Sequence, residues 1–383
     1  MFIQCVLQAA TSLRGASAVL GLLRDLTPGV SARPAANTGQ MWLLQIGLYE
    51  LQREKEAADD WVWLIDHAVQ AGTIRCLLIV GVRISAWRAA QRPLEHHDLS
   101  VLALEPVEKS DGETVARQLE ATSAATGIVP RAVLSDQGSD LKSGISAYCQ
   151  THPQTAVVHD IAHRTANEMK RELLADPRWQ QFLVATGKAK QRLIMTPLAH
   201  LTPPKLRSKA RYMNLQELVT WGQRMLCYLD DPHPVAGEPL DRARLEEKLG
   251  WLHEYHAALA DWGAAMTVVS DTLSYIRRAG YHAQAAAELA LQLGAPRTAM
   301  AQRLLDFVAE QSAQAHEGEH LPGSSEVLES LIGTGKRLEG QHSQSGFTKM
   351  ILGVAAAVAR PTSAYLTAAL PQRPTRRRPH LVP

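Results

Sequence analysis

Between Trp61 and His159 the chain carries five short runs rich in β-branched and large apolar residues, WVWLID, RCLLIVGVRI, LSVLALEPV, RAVLS and TAVVH. Runs of that length and composition, bounded by turn-forming residues, read as strands. The first three follow one another closely and suggest a meander. A helical stretch from Asp111 to Thr126, capped by Asp111 and ended by Gly127, separates the third from the fourth, and DLKSGISAYCQ separates the fourth from the fifth. The order β-β-β-α-β-α-β-α predicts an α/β fold with a mixed sheet and flanking helices.

Helical patterns flank this block on both sides. Residues 1–58 read as a small N-terminal helical unit of two stretches, SLRGASAVLGLL and TGQMWLLQIGLYELQ, separated by LTPGVSARPAAN. That arrangement suits either a DNA-reading helix-turn-helix or two helices packed as plain structure, and the connection is longer than the usual turn of the former. Residues 59–176 hold the sheet. From 161 to about 320 the apolar period is helical, and 177–320 reads as an all-α insertion. Residues 321–360 return to the core, and 361–383 read as a disordered basic tail containing Arg373, Arg376, Arg377 and Arg378. The length of 383 residues accommodates two or three domains, and the +2 balance of 40 basic against 38 acidic residues leaves any nucleic-acid signal to be local. Cys5, Cys76, Cys149 and Cys227 lie far apart without a C-x-x-C pair, so neither a zinc site nor a disulfide framework is expected. The start lacks a signal-peptide pattern and the longest apolar run, 351–359, is far short of a membrane span, which predicts a cytoplasmic protein with no membrane partner.

The acids at the strand ends carry the chemistry. Asp66 ends or nearly ends the first strand and Asp136 closes the fourth. If those strands pair, two half-buried carboxylates lie close together, an arrangement that a divalent cation would relieve. Each aspartate taken alone is as readily a turn former or a helix cap. A third carboxylate is available in SSEVLESLIGTGKRLEG, where Glu326 and Glu329 are spaced to share one helical face. Gly333-Thr334-Gly335-Lys336 is not a phosphate-binding loop, because Ser330 and Arg337 stand where that motif needs Gly and Ser or Thr.

These residues resemble the DDE transposases of bacterial insertion sequences, whose ribonuclease-H-like catalytic core is interrupted by a helical insertion. The resemblance covers about residues 11–357. Asp66 in WVWLIDHAVQAGTIRCLLIVGV matches the family's first acid, Asp136 in RAVLSDQGSDLKSGI its second, and LPGSSEVLESLIGTGKR its glutamate helix, which aligns Glu329 rather than Glu326 with the catalytic position. Asp160-Ile-Ala-His163 is similar to the C/D-x-x-H element of several such groups. The resemblance implies a ribonuclease-H-like mixed sheet in which Asp66, Asp136 and Glu329 bind two Mg2+ or Mn2+ ions. It also implies that water nicks the element end, that the freed 3′-hydroxyl attacks target DNA, and that His163 steadies the scissile phosphate or its helix. DNA ends and target are the implied partners, in a homodimer or larger synaptic complex associated with the nucleoid.

One local charge pattern agrees with a DNA partner. From 177 to 216 there is no acid, while Arg178, Lys188, Lys190, Arg192, Lys205, Arg207, Lys209 and Arg211 give a net charge of +8. Lys188, Lys190, Arg192, Lys205, Arg207, Lys209 and Arg211 are the expected phosphate contacts; a solvated basic helix is the plain alternative. Trp221, Trp251 and Trp262 fit a helical core better than a base-stacking platform. Two other functions share much of this pattern: a nuclease of the same fold without strand transfer, and an inactive or domesticated DNA-binding protein.

Overall fold

The computed structural model describes residues 1–27, 33–71, 74–108, 110–205, 215–231, 242–295, 298–339 and 347–370. The chain divides into two compact units, one formed by Met1–Asp160 with His320–Pro383 and the other by Ile161–Glu319. The helical block therefore begins at Ile161, ahead of residue 177.

The first unit is α/β. Its helices α1 (Phe2–Leu7), α2 (Leu13–Leu26) and α3 (Ala36–Gln52) precede the strands β1 (Trp61–Ala71) and β2 (Ile74–Arg83). Then come α4 (Ile84–Ala90), β3 (Ser100–Val107), α5 (Gly112–Thr126), β4 (Ala132–Ser135), α6 (Ser139–Thr151) and β5 (Ala156–His159). The sheet is mixed, in the order β3-β2-β1-β4-β5. β1, β2 and β3 form the antiparallel meander, while β4 runs parallel to both β1 and β5. Asp111 caps α5 by accepting the Thr114 N–H at 3.0 Å, and Gly127 closes it at φ 68°.

Side-chain alternation along β1 sorts the two faces of the sheet. Trp61, Trp63 and Ile65 join Leu77, Ile79 and Val133 in a core completed by Val115 and Leu119 of α5 and Leu141, Ile145 and Tyr148 of α6. Val62 and Leu64, also fully buried, point the other way. On that side α14 (Glu326–Glu339) packs against β1, and α3 and α15 (Phe347–Ala356) pack near β3. A last helix, α16 (Ser363–Ala369), rests on α3.

The N-terminal and C-terminal helices share one core. Phe2, Ile3, Val6, Leu13, Leu43 and Ile46 cluster with Leu338, Ala356 and Ala369. Gly47 of α3 permits a close approach of two helices: a Cβ there would run into the Leu352 carbonyl oxygen of α15. In a helix-turn-helix α3 would enter the groove, yet it contains neither Lys nor Arg, and its buried face serves this core. α16 corrects the expectation of a disordered tail from 361. Thr362 caps it, and Tyr365 donates a 2.6 Å hydrogen bond to the buried Glu50 of α3, so packing organises a helix that is too short to be stable alone. Residues 371–383, including Arg373, Arg376, Arg377 and Arg378, lie outside the described residues. α14 also shows why Gly333-Thr334-Gly335-Lys336 is no loop: the segment is helical, and Gly335 lets Val354 of α15 pack close.

The second unit is all helical among its described residues. It comprises α7 (Ile161–Ala175), α8 (Pro177–Leu193), α9 (Leu215–Asp230), α10 (Arg242–Leu249), α11 (His256–Ala279), α12 (Ala285–Leu293) and α13 (Ala299–Ser312). Its centre is aromatic. Trp179 and Phe182 of α8 pack on Trp262 of α11, with Trp251 and Tyr255 against Phe182. Trp221 and Trp262 are buried with their indole N–H groups donated to the Leu201 carbonyl and to Asp176. Both are core residues rather than exposed stacking platforms. No helix among the described residues is long and apolar enough to cross a membrane.

Candidate active site

The parallel β1–β4 ladder ends at the pair Ile65–Ser135. Asp66, still within β1, and Asp136, just past the end of β4, are the next residues, and alternation turns Asp66 away from the α5–α6 core. Asp66 is not the end of its strand, as the sequence suggests. β1 continues to Ala71 because its hairpin with β2 runs on past a register shift between His67 and Val69, so Asp66 marks where β1 loses β4. Each carboxylate is restrained by a nearby peptide. Asp66 Oδ1 accepts the His67 N–H at 2.7 Å, and Asp136 Oδ1 accepts the Gly138 N–H at 2.9 Å.

Burial pushes the Asp66 carboxyl upward, and the negative charges of Asp136 and Glu329 push it further; the His67 N–H and the His67 charge pull the other way. The outcome is a carboxyl raised to about 6. Such a shift is characteristic of a buried acid beside other acids. Glu329 lies in the first turn of α14, the helix that packs on β1, and its side chain is exposed. Glu326 begins the same helix but is engaged with its entry: Ser324 Oγ donates to Glu326 Oε2 at 2.9 Å. Glu329 is thus the α14 acid whose field reaches Asp66. Asp160, 2% exposed, accepts the Ser325 N–H at 3.2 Å, and its own N–H donates to the Ser135 carbonyl at 3.0 Å. It ties the start of α14 to the strand end that precedes Asp136. On the other side of α14, His96 Nε2 lies 3.0 Å from Ser330 Oγ.

Three further residues adjoin the acids without any signal in the motif spacing. His67 Nε2 lies 2.8 Å from Asp140 Oδ2, Ser110 Oγ donates to the same oxygen at 2.8 Å, and Ser110 Oγ lies 3.2 Å from His67 Nε2. Burial acts to raise the Asp140 carboxyl, but the Ser110 and His67 hydrogen bonds and the His67 charge together hold it below the ordinary carboxylate range. This is not a hydrolase relay. There the histidine bridges serine and aspartate through its two nitrogens, whereas here both contacts fall on Nε2 and the serine proton goes to the carboxylate.

The structure brings Asp66, Asp136 and Glu329 into one unit and one electrostatic neighbourhood. Among the described residues, no three His, Cys, Asp or Glu side chains converge into a preassembled metal cluster. The donor set nevertheless suits magnesium, which takes hard oxygen ligands, keeps several waters and needs only one or two carboxylates. His163 sits in the first turn of α7, in the helical unit. Lys188, Lys190 and Arg192 occupy the last turns of α8, with Lys188 and Arg192 exposed and Lys190 half-buried; Lys205 is also exposed. Arg207, Lys209 and Arg211 lie outside the described residues. The segment is less lopsided in space than in sequence. Arg178 is bound to Asp176 and Asp261, and Arg192 acts on Glu247 of α10. No protein-family model matches the chain, and no curated protein matches it.

Proposed function

We propose that this protein is a DDE-type transposase with a ribonuclease-H-like core, transferring phosphoryl groups at the ends of a mobile DNA element. One observation carries the reading: Asp66 and Asp136 directly follow the last pair of the parallel β1–β4 ladder, and Asp136 and Glu329 help drive the Asp66 carboxyl up to about 6. A site with three acids, whose mutual repulsion and burial outweigh the neighbouring His67 charge at Asp66, suits divalent cations. The order of the mixed sheet is consistent with a ribonuclease-H-like layout, and the helical unit lies between the second and third acids in sequence, as that family's insertion does.

Asp66, Asp136 and Glu329 would hold Mg2+ or Mn2+, which when bound supplies an activated water and neutralises charge on the phosphate. The protein's own contributions are separate. The His67 and Gly138 N–H groups orient the two aspartates, and Asp160 fixes the entry of the helix that carries Glu329. Near neutral pH a carboxyl at about 6 is mostly ionised and ready to ligate. Glu329 is exposed, which leaves one side of the site open to a large substrate such as DNA. Lys188, Lys190, Arg192 and Lys205 would hold the DNA backbone by contacts that carry no sequence information. His163 is assigned to the scissile phosphate or its helix on resemblance alone, and pairing of two element ends calls for a dimer or larger assembly.

The deciding experiment is cleavage of labelled DNA carrying the element's own flanking ends, with and without Mg2+ or Mn2+. Metal-dependent nicking that disappears in Asp136→Asn and Glu329→Gln, followed by joining of a pre-cut end to target DNA, supports the assignment. Cleavage without joining makes the protein a nuclease. Salt-sensitive DNA binding without cleavage, indifferent to metal, makes it an inactive DNA-binding protein.

A further inference from the structure

We infer that His67, Ser110 and Asp140 form a strut that sets the separation of the Asp66 and Asp136 carboxylates. They would be positioning residues for the cation of the reaction proposed above, on which this inference rests. The β1–β4 ladder stops at Ile65–Ser135, one residue short of both acids. Past that point the strand pairing no longer controls how far the two acid-bearing segments stand apart. The His67–Asp140 contact at 2.8 Å rejoins them. At one end, the anchored residue is the one whose peptide N–H holds Asp66 Oδ1 at 2.7 Å. At the other, Asp140 lies in the first turn of α6, two residues after the Gly138 N–H that holds Asp136 Oδ1 at 2.9 Å. Ser110, at the end of the β3–α5 connection, locks the joint by donating to the same Asp140 oxygen at 2.8 Å.

Alternation accounts for the division of labour. Asp66 faces the α14 side of the sheet, so the adjacent His67 projects to the α5–α6 side, where Asp140 and the start of α5 are found. The strut therefore works from behind the site. It also sits where β1 needs anchoring, because the register with β2 shifts just after His67. The His67 and Asp140 side chains are each only 21% exposed, so the contact is held in place behind the site. His67 Nδ1, moreover, is buried without a hydrogen-bond partner among the described residues. The contact matters for where it holds the His67 peptide.

The test is calorimetric titration of the full chain with Mn2+ in the absence of DNA, for wild type, His67→Ala, His67→Gln, Ser110→Ala and Asp140→Ala, with thermal melts to confirm folding. His67→Ala and Asp140→Ala should weaken Mn2+ binding about 10–100-fold, the usual effect of removing a group that orients a metal ligand. Ser110→Ala should weaken it less, and His67→Gln, which can still donate to Asp140, should recover most of the loss. The double variant His67→Ala/Asp140→Ala should be no worse than the poorer single one, since both remove one strut. Wild-type Mn2+ affinity in folded His67→Ala, or losses that simply add in the double variant, would overturn the strut while leaving the metal site standing. A wild type that binds no Mn2+ would overturn the metal reading itself, and the strut's role with it.

Discussion

Replacing Asp66 by Asn should make the protein more stable at neutral pH, although the residue is the centre of the candidate site. The folded carboxyl titrates at about 6 against an ordinary value of 3.8. That difference, at about 1.4 kcal/mol per pH unit, is about 3 kcal/mol. Its sign follows from proton binding. The folded state holds the Asp66 proton more tightly than the unfolded chain, so the carboxyl costs nothing below the unfolded value, costs progressively more as pH rises towards 6, and costs the full amount above it. Asparagine keeps an oxygen to accept the His67 N–H and carries no charge. The assay is urea unfolding of wild type and Asp66→Asn in chelator at a series of pH values. The variant should gain up to about 3 kcal/mol at about pH 8, and the gain should vanish near pH 4. Magnesium adds a second check, because a cation that binds only the folded wild type at a hundred times its Kd returns about 2.7 kcal/mol and closes most of the gap. A difference that is independent of pH, or a wild type that is the more stable protein at pH 8, would refute the reasoning.

Other outcomes follow from the same geometry. Glu329→Gln should abolish metal-dependent cleavage, whereas Glu326→Gln should cost only about 0.3–1 kcal/mol at the start of α14 and leave cleavage intact, as parallel cleavage and melting measurements would reveal. Gly47→Ala should destabilise the first unit by about 1–3 kcal/mol, because the new methyl group meets the Leu352 carbonyl; thermal unfolding reads this directly. Replacing Lys188 and Arg192 by Ala should reduce the salt slope of DNA affinity by about 0.9 per lost phosphate contact without changing sequence preference, as measured by titrations at several salt concentrations.

Much of the sheet was legible because its strands are locally encoded. RAVLS and TAVVH are β-branched runs with turn-forming residues at their ends, and each became a strand within a residue of its expected bounds. Elements that exist only through packing were not. α1 and α16 are six and seven residues long, below the length at which a helix announces itself by periodicity, and each is held by contacts to residues distant in sequence. The extension of β1 beyond Asp66 was hidden for a related reason: DHAVQA shows no clear alternation, and the partner that draws it out is β2. Spacing alone does not choose between Glu326 and Glu329, since both fall in the first turn of α14; the motif alignment favours Glu329, and the field at Asp66 and the Ser324 hydrogen bond to Glu326 distinguish the two in the fold. The His67–Asp140 contact spans 73 residues, and no motif links the two positions.

The place of the helical unit in the chain also has a consequence in time. Asp136 and Glu329 are separated by 193 residues. At about 5–20 residues per second, a ribosome needs about 10–40 s to travel from one to the other. For most of that interval, once β5 is made, the growing chain has both aspartates and all five strands but lacks α14, so the sheet face bearing Val62 and Leu64 lacks its covering helix and Asp160 has no Ser325 to hold. The helical unit is complete at Glu319 and can fold before the sheet unit closes. A nascent chain would thus acquire its helical unit first and its third carboxylate last, with its acidic centre incomplete for most of its own synthesis.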